Sequence, residues 1–349
     1  MDILTQTQQY LAFAWWLALC LSVLIYVALD GADLGAGIFS LFVRDEDERG
    51  AIMSAMAGTW DANETWLMVA GGILFGTFPF IYGSTFSYLL VPLALALWGI
   101  MSRAIALEFR HLADGRHKAV ADLAFGLGSL VTTFFGAMAI GAVLQGFALT
   151  NTPGEVPTYV GGAFSFITPF SIWVGVASVV AVLMGGLLFV RARFEHGEAI
   201  RVQAARWTNP LFFLALAAVS ITLIWTGTIF PWAHARWFGS STWIFGLLLI
   251  ATLFCVFKSR RASQKDHDLA AVLWFDATAV VMGVALMATM YPWIVPNTWT
   301  IYSGASPSIS LVTFTLTMGG FIPVIIAYNV YQIWVFRDRV SKFAAYSHH

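Results

Sequence analysis

The sequence predicts an all-α protein that crosses a membrane about nine times, with the amino terminus outside and the carboxyl terminus inside. Three observations carry this expectation. Apolar residues make up 59% of the 349 positions and charged residues only 11%, far from the mix of a soluble domain. The apolar residues gather into nine stretches, most of them near or above the ~20 residues needed to cross a bilayer. Seventeen of the eighteen Lys and Arg residues fall in alternate gaps between these stretches, with Arg236 on the other set, and such one-sided basic charge fixes orientation in membrane proteins.

Taken in order, the first span runs from Tyr10 to Val43 and closes on Arg44 and Arg49. The second, Ala51 to Pro79, and the third, Phe80 to Met101, form an outward and return pair that ends at Arg103, Arg110, Arg116 and Lys118. The fourth and fifth, Asp122 to Ala148 and Phe166 to Val190, lead to Arg191, Arg193, Arg201 and Arg206. The sixth, Asn209 to Phe230, and the short seventh, Thr242 to Phe257, precede Lys258, Arg260, Arg261 and Lys265. The eighth is Leu269 to Met290; the ninth, Ser310 to Phe336, is followed by Arg337, Arg339 and Lys342.

One membrane domain, residues 1–349, accounts for the whole chain. The first span reads as permanent, because no basic residue precedes it as a cleaved signal would require. The outer loops Leu149 to Ser165 and Tyr291 to Ile309, rich in Gly, Pro, Ser and Thr, read as connectors that cap the bundle. Trp and Tyr near span ends, such as Trp15, Trp16, Trp232, Trp243, Trp299 and Trp334, read as interface anchors. A net charge of -1 sorted by side of the membrane gives no reason to invoke nucleic acid. Cys20 and Cys255 lack metal-type spacing and read as inert thiols.

The informative residues are acids inside the first two spans: Asp30 and Asp33 in LDGADLGAG, Asp61 and Glu64 in TWDANETW. An ionisable group at membrane depth costs roughly 2.5 to 3.5 kcal/mol on insertion scales and is a functional hypothesis by default. Each pair is spaced i, i+3, which puts both carboxyls on one helix face. Counted from the acidic turn RDEDER at ~1.5 Å per residue, Asp33 lies about as deep as Asp61, and Asp30 about as deep as Glu64. All four are therefore expected to line one polar stripe entered from the inner side. Like charges this close do not all ionise, so one carboxyl should hold a proton unless a cation intervenes. Arg103 is the nearest candidate for that cation, against an ordinary reading as an inner-side anchor that snorkels. A structural reading of Asp30 and Asp33 is that they cap a helix break among Gly31, Gly35 and Gly37.

Haem in a helix bundle normally needs His or Met ligands projecting inward, yet all seven histidines (His111, His117, His196, His234, His267, His348 and His349) lie outside the spans. The eleven methionines read as packing. No metal-type or nucleotide-binding motif is present, so no metal site and no directly bound cofactor are expected.

LDGADLGAG, TWDANETWLMVAGGILFGTFP, VPNTWTIYSGASPSISLVTFTLT and FIPVIIAYNVYQIWVF resemble subunit II of cytochrome bd-type quinol oxidases, and the resemblance runs from the first span to the last. It implies two four-helix bundles plus one peripheral helix, paired pseudo-symmetrically with a subunit I that holds haems b558, b595 and d and the quinol loop. It also implies a bacterial inner membrane, quinol oxidation, reduction of O2 to water, and proton uptake from the cytoplasm without pumping. Small single-helix accessory subunits are further implied partners. Subunit II would support assembly and haem retention and supply acids to a proton route. Asp30 and Asp61 match positions on that route; Trp60, Asp61 and Arg103 match positions lining a structural quinone. Ala32, Ala62 and Ser303 depart from the family pattern, which bears on any such quinone and on cyanide response. Two other classes compete: a proton-coupled secondary transporter, for which acids crowded into two spans with only Asp276 later are a poor fit, and a purely structural subunit.

Overall fold

The computed structural model describes residues 3–150 and 158–335. Arg337, Arg339, Lys342, His348 and His349 lie outside the described residues. In chain order the helices are α1 (Ile3–Ser40), α2 (Glu46–Met56), α3 (Trp60–Thr77), α4 (Pro79–Tyr88), α5 (Leu90–Phe109), α6 (Arg116–Gln145), α7 (Pro169–Arg193), α8 (Ala199–Ile229), α9 (Pro231–Trp237), α10 (Thr242–Gln264), α11 (Asp268–Met290), α12 (Ser308–Met318) and α13 (Phe321–Val335). Eight spans are long and apolar enough to cross a membrane, α12 and α13 together making one, and the bent pair α3 and α4 brings the number to nine.

Several expected boundaries move, each for a local reason. The acidic turn starts a helix: Asp45 caps α2 by accepting the Glu48 amide at 3.0 Å, and Glu46, Asp47 and Glu48 occupy its first turn, where acids complement the helix dipole. The predicted second span is therefore two helices, separated at Ala57 to Thr59. Pro79 lacks the N–H that would continue α3, and the chain turns by 120° into α4. The predicted third span breaks at Leu89 and runs on to Phe109, which places Arg103 inside α5 and not on its flank. No break occurs at Gly31: α1 is one helix of 38 residues through both aspartates.

Helices α1, α3, α5 and α6 form the first bundle and α7, α8, α10 and α11 the second, joined along α1 with α7 and α6 with α7, while α12 and α13 lie at the periphery against α1 and α3. Gly35 and Gly186 make the central junction. A Cβ on Gly35 would lie 2.7 Å from the Gly186 amide nitrogen and overlap the Val182 carbonyl, so only glycine permits this approach.

The basic clusters gather at one end. Arg193 of α7 donates to the Ala55 carbonyl of α2 at 3.0 Å and Gln203 of α8 to the Phe42 carbonyl at 3.0 Å. Beneath them lies a core of Phe39, Ile52, Met56, Phe125, Leu188 and Phe194. At the opposite, loop end, a short hairpin of Trp293–Val295 and Trp299–Thr300, unforeseen in the sequence, inserts Val295, Trp299 and Ile301 against Trp16, Phe78 and Ile81. The loop is thus a plug. Trp15 and Trp16, read as interface anchors, are 5% and 8% exposed and belong to the interior; the Trp15 indole donates to Thr315 at 2.9 Å. Trp243 and Trp334 keep exposed positions. Outside the spans, the Tyr291 hydroxyl bonded to Tyr302 at 2.8 Å, with a smaller contribution from burial, pushes the Tyr302 phenol up to about 12.

Candidate functional site

Midway along the first bundle, three carboxyls surround one guanidinium. Asp30 and Asp33 are 0% and 1% exposed, and Arg103 is fully buried. The Arg103 Nη2 donates to Asp30 Oδ1 and, at 3.1 Å, to Glu64 Oε2. Asn63 Nδ2 donates to Asp33 Oδ2 at 2.8 Å, and Tyr26, one turn before Asp30, stands beside it.

The sequence builds this cluster through close helix packing. A Cβ on Gly99 would lie 2.6 Å from the Gly128 carbonyl, and one on Gly128 would lie 3.0 Å from the Arg103 amide nitrogen, so α5 presses against α6. Thr132 adds a bond to the Ala96 carbonyl at 3.2 Å. One turn beyond Gly99, Arg103 is thereby fixed toward α1 and α3. Its Nε and Nη1, and Asp30 Oδ2, are buried without a partner among the described residues.

Asp30 and Glu64 do share a depth, since one guanidinium nitrogen reaches both. The expected stripe of four nevertheless fails at Asp61, which is exposed in the first turn of α3. The break before Trp60 resets the helical phase, so counting along one unbroken arm from the turn does not hold there. Asn63 takes the place opposite Asp33. Trp60 is half-buried against the core of the basic end, Asp61 is exposed and Arg103 is enclosed.

The sequence reading missed Asn63 and Tyr26, although an amide between two acids and a tyrosine one turn from Asp30 were available signals. It also missed two charge nodes at the basic end. Asp122 accepts from Arg49 Nε at 2.8 Å and Arg110 Nε at 2.5 Å; Asp268 accepts from Arg191 Nε at 3.1 Å and Arg201 Nη2 at 2.7 Å. Asp276 of α11 is part-buried and has no hydrogen bond or ion pair among the described residues.

As for a haem, the donor set does not fit. The five described histidines all sit at helix ends or in connections: His111 in a 3-10 turn, His117 in the first turn of α6, His196 between α7 and α8, His234 in α9, and His267 capping α11. Met53, Met56 and Met184 pack into the core of the basic end. Among the described residues no three His, Cys, Asp or Glu side chains are grouped to hold a metal ion.

The family model described as Cytochrome bd terminal oxidase subunit II matches residues 11–336. The chain is 24% identical to Cytochrome bd-I ubiquinol oxidase subunit 2 of Escherichia coli (strain K12), covering 96% of each protein. It is 23% identical to Cytochrome bd ubiquinol oxidase subunit 2 of Bacillus subtilis (strain 168), covering 94% of this chain and 96% of that one. In fold it is similar to a chain of the bd oxidase from Geobacillus thermodenitrificans, with a TM-score of 0.74, 18% identity, and 94% and 99% of the two chains covered. The chain belongs to the cytochrome bd terminal oxidase subunit II family.

Proposed function

We propose that this chain is the haem-free partner of a haem-bearing subunit I in a bacterial inner membrane, within an oxidase that oxidises quinol and reduces O2 to water. Its own task is to support assembly and haem retention and to lead protons from the cytoplasm toward the oxygen-reducing centre through Asp33, Asp30 and Glu64. The basic end faces the cytoplasm, in keeping with the positive-inside rule. Haems b558, b595 and d in subunit I supply the redox chemistry; the residues here move only protons. Asp61 and Trp60, at the outer face of α3, are the positions offered to subunit I, lipid or a structural quinone.

The observation that carries this reading is that Asp30, Asp33 and Glu64 gather around Arg103, with Arg193 as the second guanidinium acting on Asp33, so that carboxyls still outnumber arginines. A purely structural ion pair would match the charges, because each surplus carboxylate at this depth costs roughly 2.5 to 3.5 kcal/mol. The surplus is met by protons; Asn63 and Arg103 hold the carboxyls in place, and the carboxyls pass protons among themselves through bridging water. The names of the relatives, which are ubiquinol oxidase subunits, support quinol as the reductant.

The test is Asp33→Asn in the purified complex. The amide keeps the shape and an acceptor for Asn63 but cannot pass a proton. Oxygen consumption should fall by at least about tenfold, a lower bound set below the roughly 10²- to 10⁴-fold contribution of a proton-transfer group, with the visible haem spectrum retained. Unchanged turnover would remove the proton role; loss of haem without any assembled, slow enzyme would leave a structural role alone.

A further inference from the structure

We propose that water reaches the carboxylate cluster from the basic end along the seam between α13 and the broken start of α3, with Asn329 and Gln332 as its polar lining. This inference rests on the proton-path reading of the cluster.

Helix α13 is almost wholly apolar and exposed, with Phe321, Val324, Tyr328, Val330 and Trp334 all turned outward. Its single buried residue is Asn329, 6% exposed. A helix of this kind is expected to bury an apolar side chain, so an amide in that position needs a polar neighbour. The Asn329 Nδ2 is buried and has no hydrogen-bond partner among the described residues. One turn nearer the basic end, Gln332 Nε2 donates to the Gly58 carbonyl at 2.7 Å, while its Oε1 is also buried and unbonded.

Gly58 lies in the gap between α2 and α3. Non-helical backbone at membrane depth is tolerated where protein buries it or where it lines water. From that contact α13 and α3 run in opposite directions at ~1.5 Å per residue, which puts Asn329 at about the level of Asp61 and Ala62. Asn63, the donor to Asp33, is the next residue. Further along the same face of α3, the Trp66 indole Nε1 is buried and unbonded. Buried polar atoms without a partner among the described residues thus occur on α13 (Gln332, Asn329), on α3 (Trp66) and in the cluster itself (Asp30, Arg103). Buried polar groups without a protein partner are ordinarily met by ordered water, and a carboxamide offers it both donors and an acceptor.

Two measurements on the assembled complex decide the matter. In inside-out vesicles, Asn329→Cys and Gln332→Cys should react with a charged, membrane-impermeant thiol reagent roughly tenfold faster than Tyr328→Cys, since only a hydrated thiol ionises and reacts. The parent chain, which retains Cys20 and Cys255, sets the background. Asn329→Leu should slow oxygen consumption severalfold with haem retained, and Asn329→Ser should restore it. Equal labelling at positions 328 and 329 would overturn the proposal and assign the Asn329 amide to a group on a neighbouring subunit. So would full turnover in Asn329→Leu. Should that variant fail to assemble, the labelling still decides. A slow Asp33→Asn beside a fast, unlabelled position 329 would sink this entry route alone; a fast Asp33→Asn would sink the proton path itself.

Discussion

At the basic end the two bundles treat buried charge alike. Asp122 lies between Arg49 and Arg110 in the first, Asp268 between Arg191 and Arg201 in the second. Each node ties separate helices together; the first carries two arginines to one aspartate, and in the second Asp266, 60% exposed, joins Asp268 to match the two arginines. Deeper inside the bundles the likeness ends. The first bundle encloses three carboxyls around Arg103, whereas the second holds Asp276 alone. Charge at the basic end fastens helices to one another with at least one arginine for every aspartate. Charge at the middle of the first bundle fastens little that the Gly99 and Gly128 contact has not already fixed. Excess acid in so buried a place calls for a task beyond packing.

The largest expected effect is at Arg103. Arg103→Met leaves Asp30 and Glu64 without their shared counter-charge, and breaking a buried pair this way costs about 3 to 5 kcal/mol. The yield of assembled complex after detergent extraction should drop sharply, with partial recovery in Arg103→Lys. An undiminished yield would mean that the mid-bundle acids are already neutral and need no partner.

Next comes the second node. Asp268→Asn weakens bonds to two arginines, each charged bond worth about 1.5 to 3 kcal/mol, so the thermal midpoint of the complex should fall. Turnover per haem should stay at the parent value. If Asp268→Asn instead slowed oxygen consumption as Asp33→Asn does, the contrast between end and middle would dissolve.

The smallest effect is at Asp61. It is exposed on this chain and lies outside the Arg103 cluster, so Asp61→Asn should lower oxygen consumption by less than the about tenfold expected for Asp33→Asn. An equal loss would place Asp61 directly on the route, completed by a surface of subunit I.

Much of the fold was legible in the sequence because bilayer thickness and basic charge impose long-range order that needs no contact information. Span number and the unusual depth of Asp30, Asp33 and Glu64 follow from these alone. What escaped depended on breaks and phase. Nothing in the apolar run from Ala51 to Pro79 marks an interruption at Ala57 to Thr59, yet that interruption turns Asp61 outward and brings Asn63 to Asp33. Arg103 had two equally good readings, and tertiary packing through glycine chose the enclosed one. The end nodes were hidden for another reason: an aspartate at a span boundary looks like a solvent-facing residue until arginines from other helices are seen to close over it.

The backbone contact of Gly35 with Gly186 has a mechanical consequence. A carrier that alternates its access must let one half rock against the other, and rocking needs a cushion of side chains that can slide and repack. Here main chain rests on main chain, and any tilt would drive the Val182 carbonyl into α1. The two halves are locked as a single rigid frame, in which the Arg103 cluster keeps a fixed place.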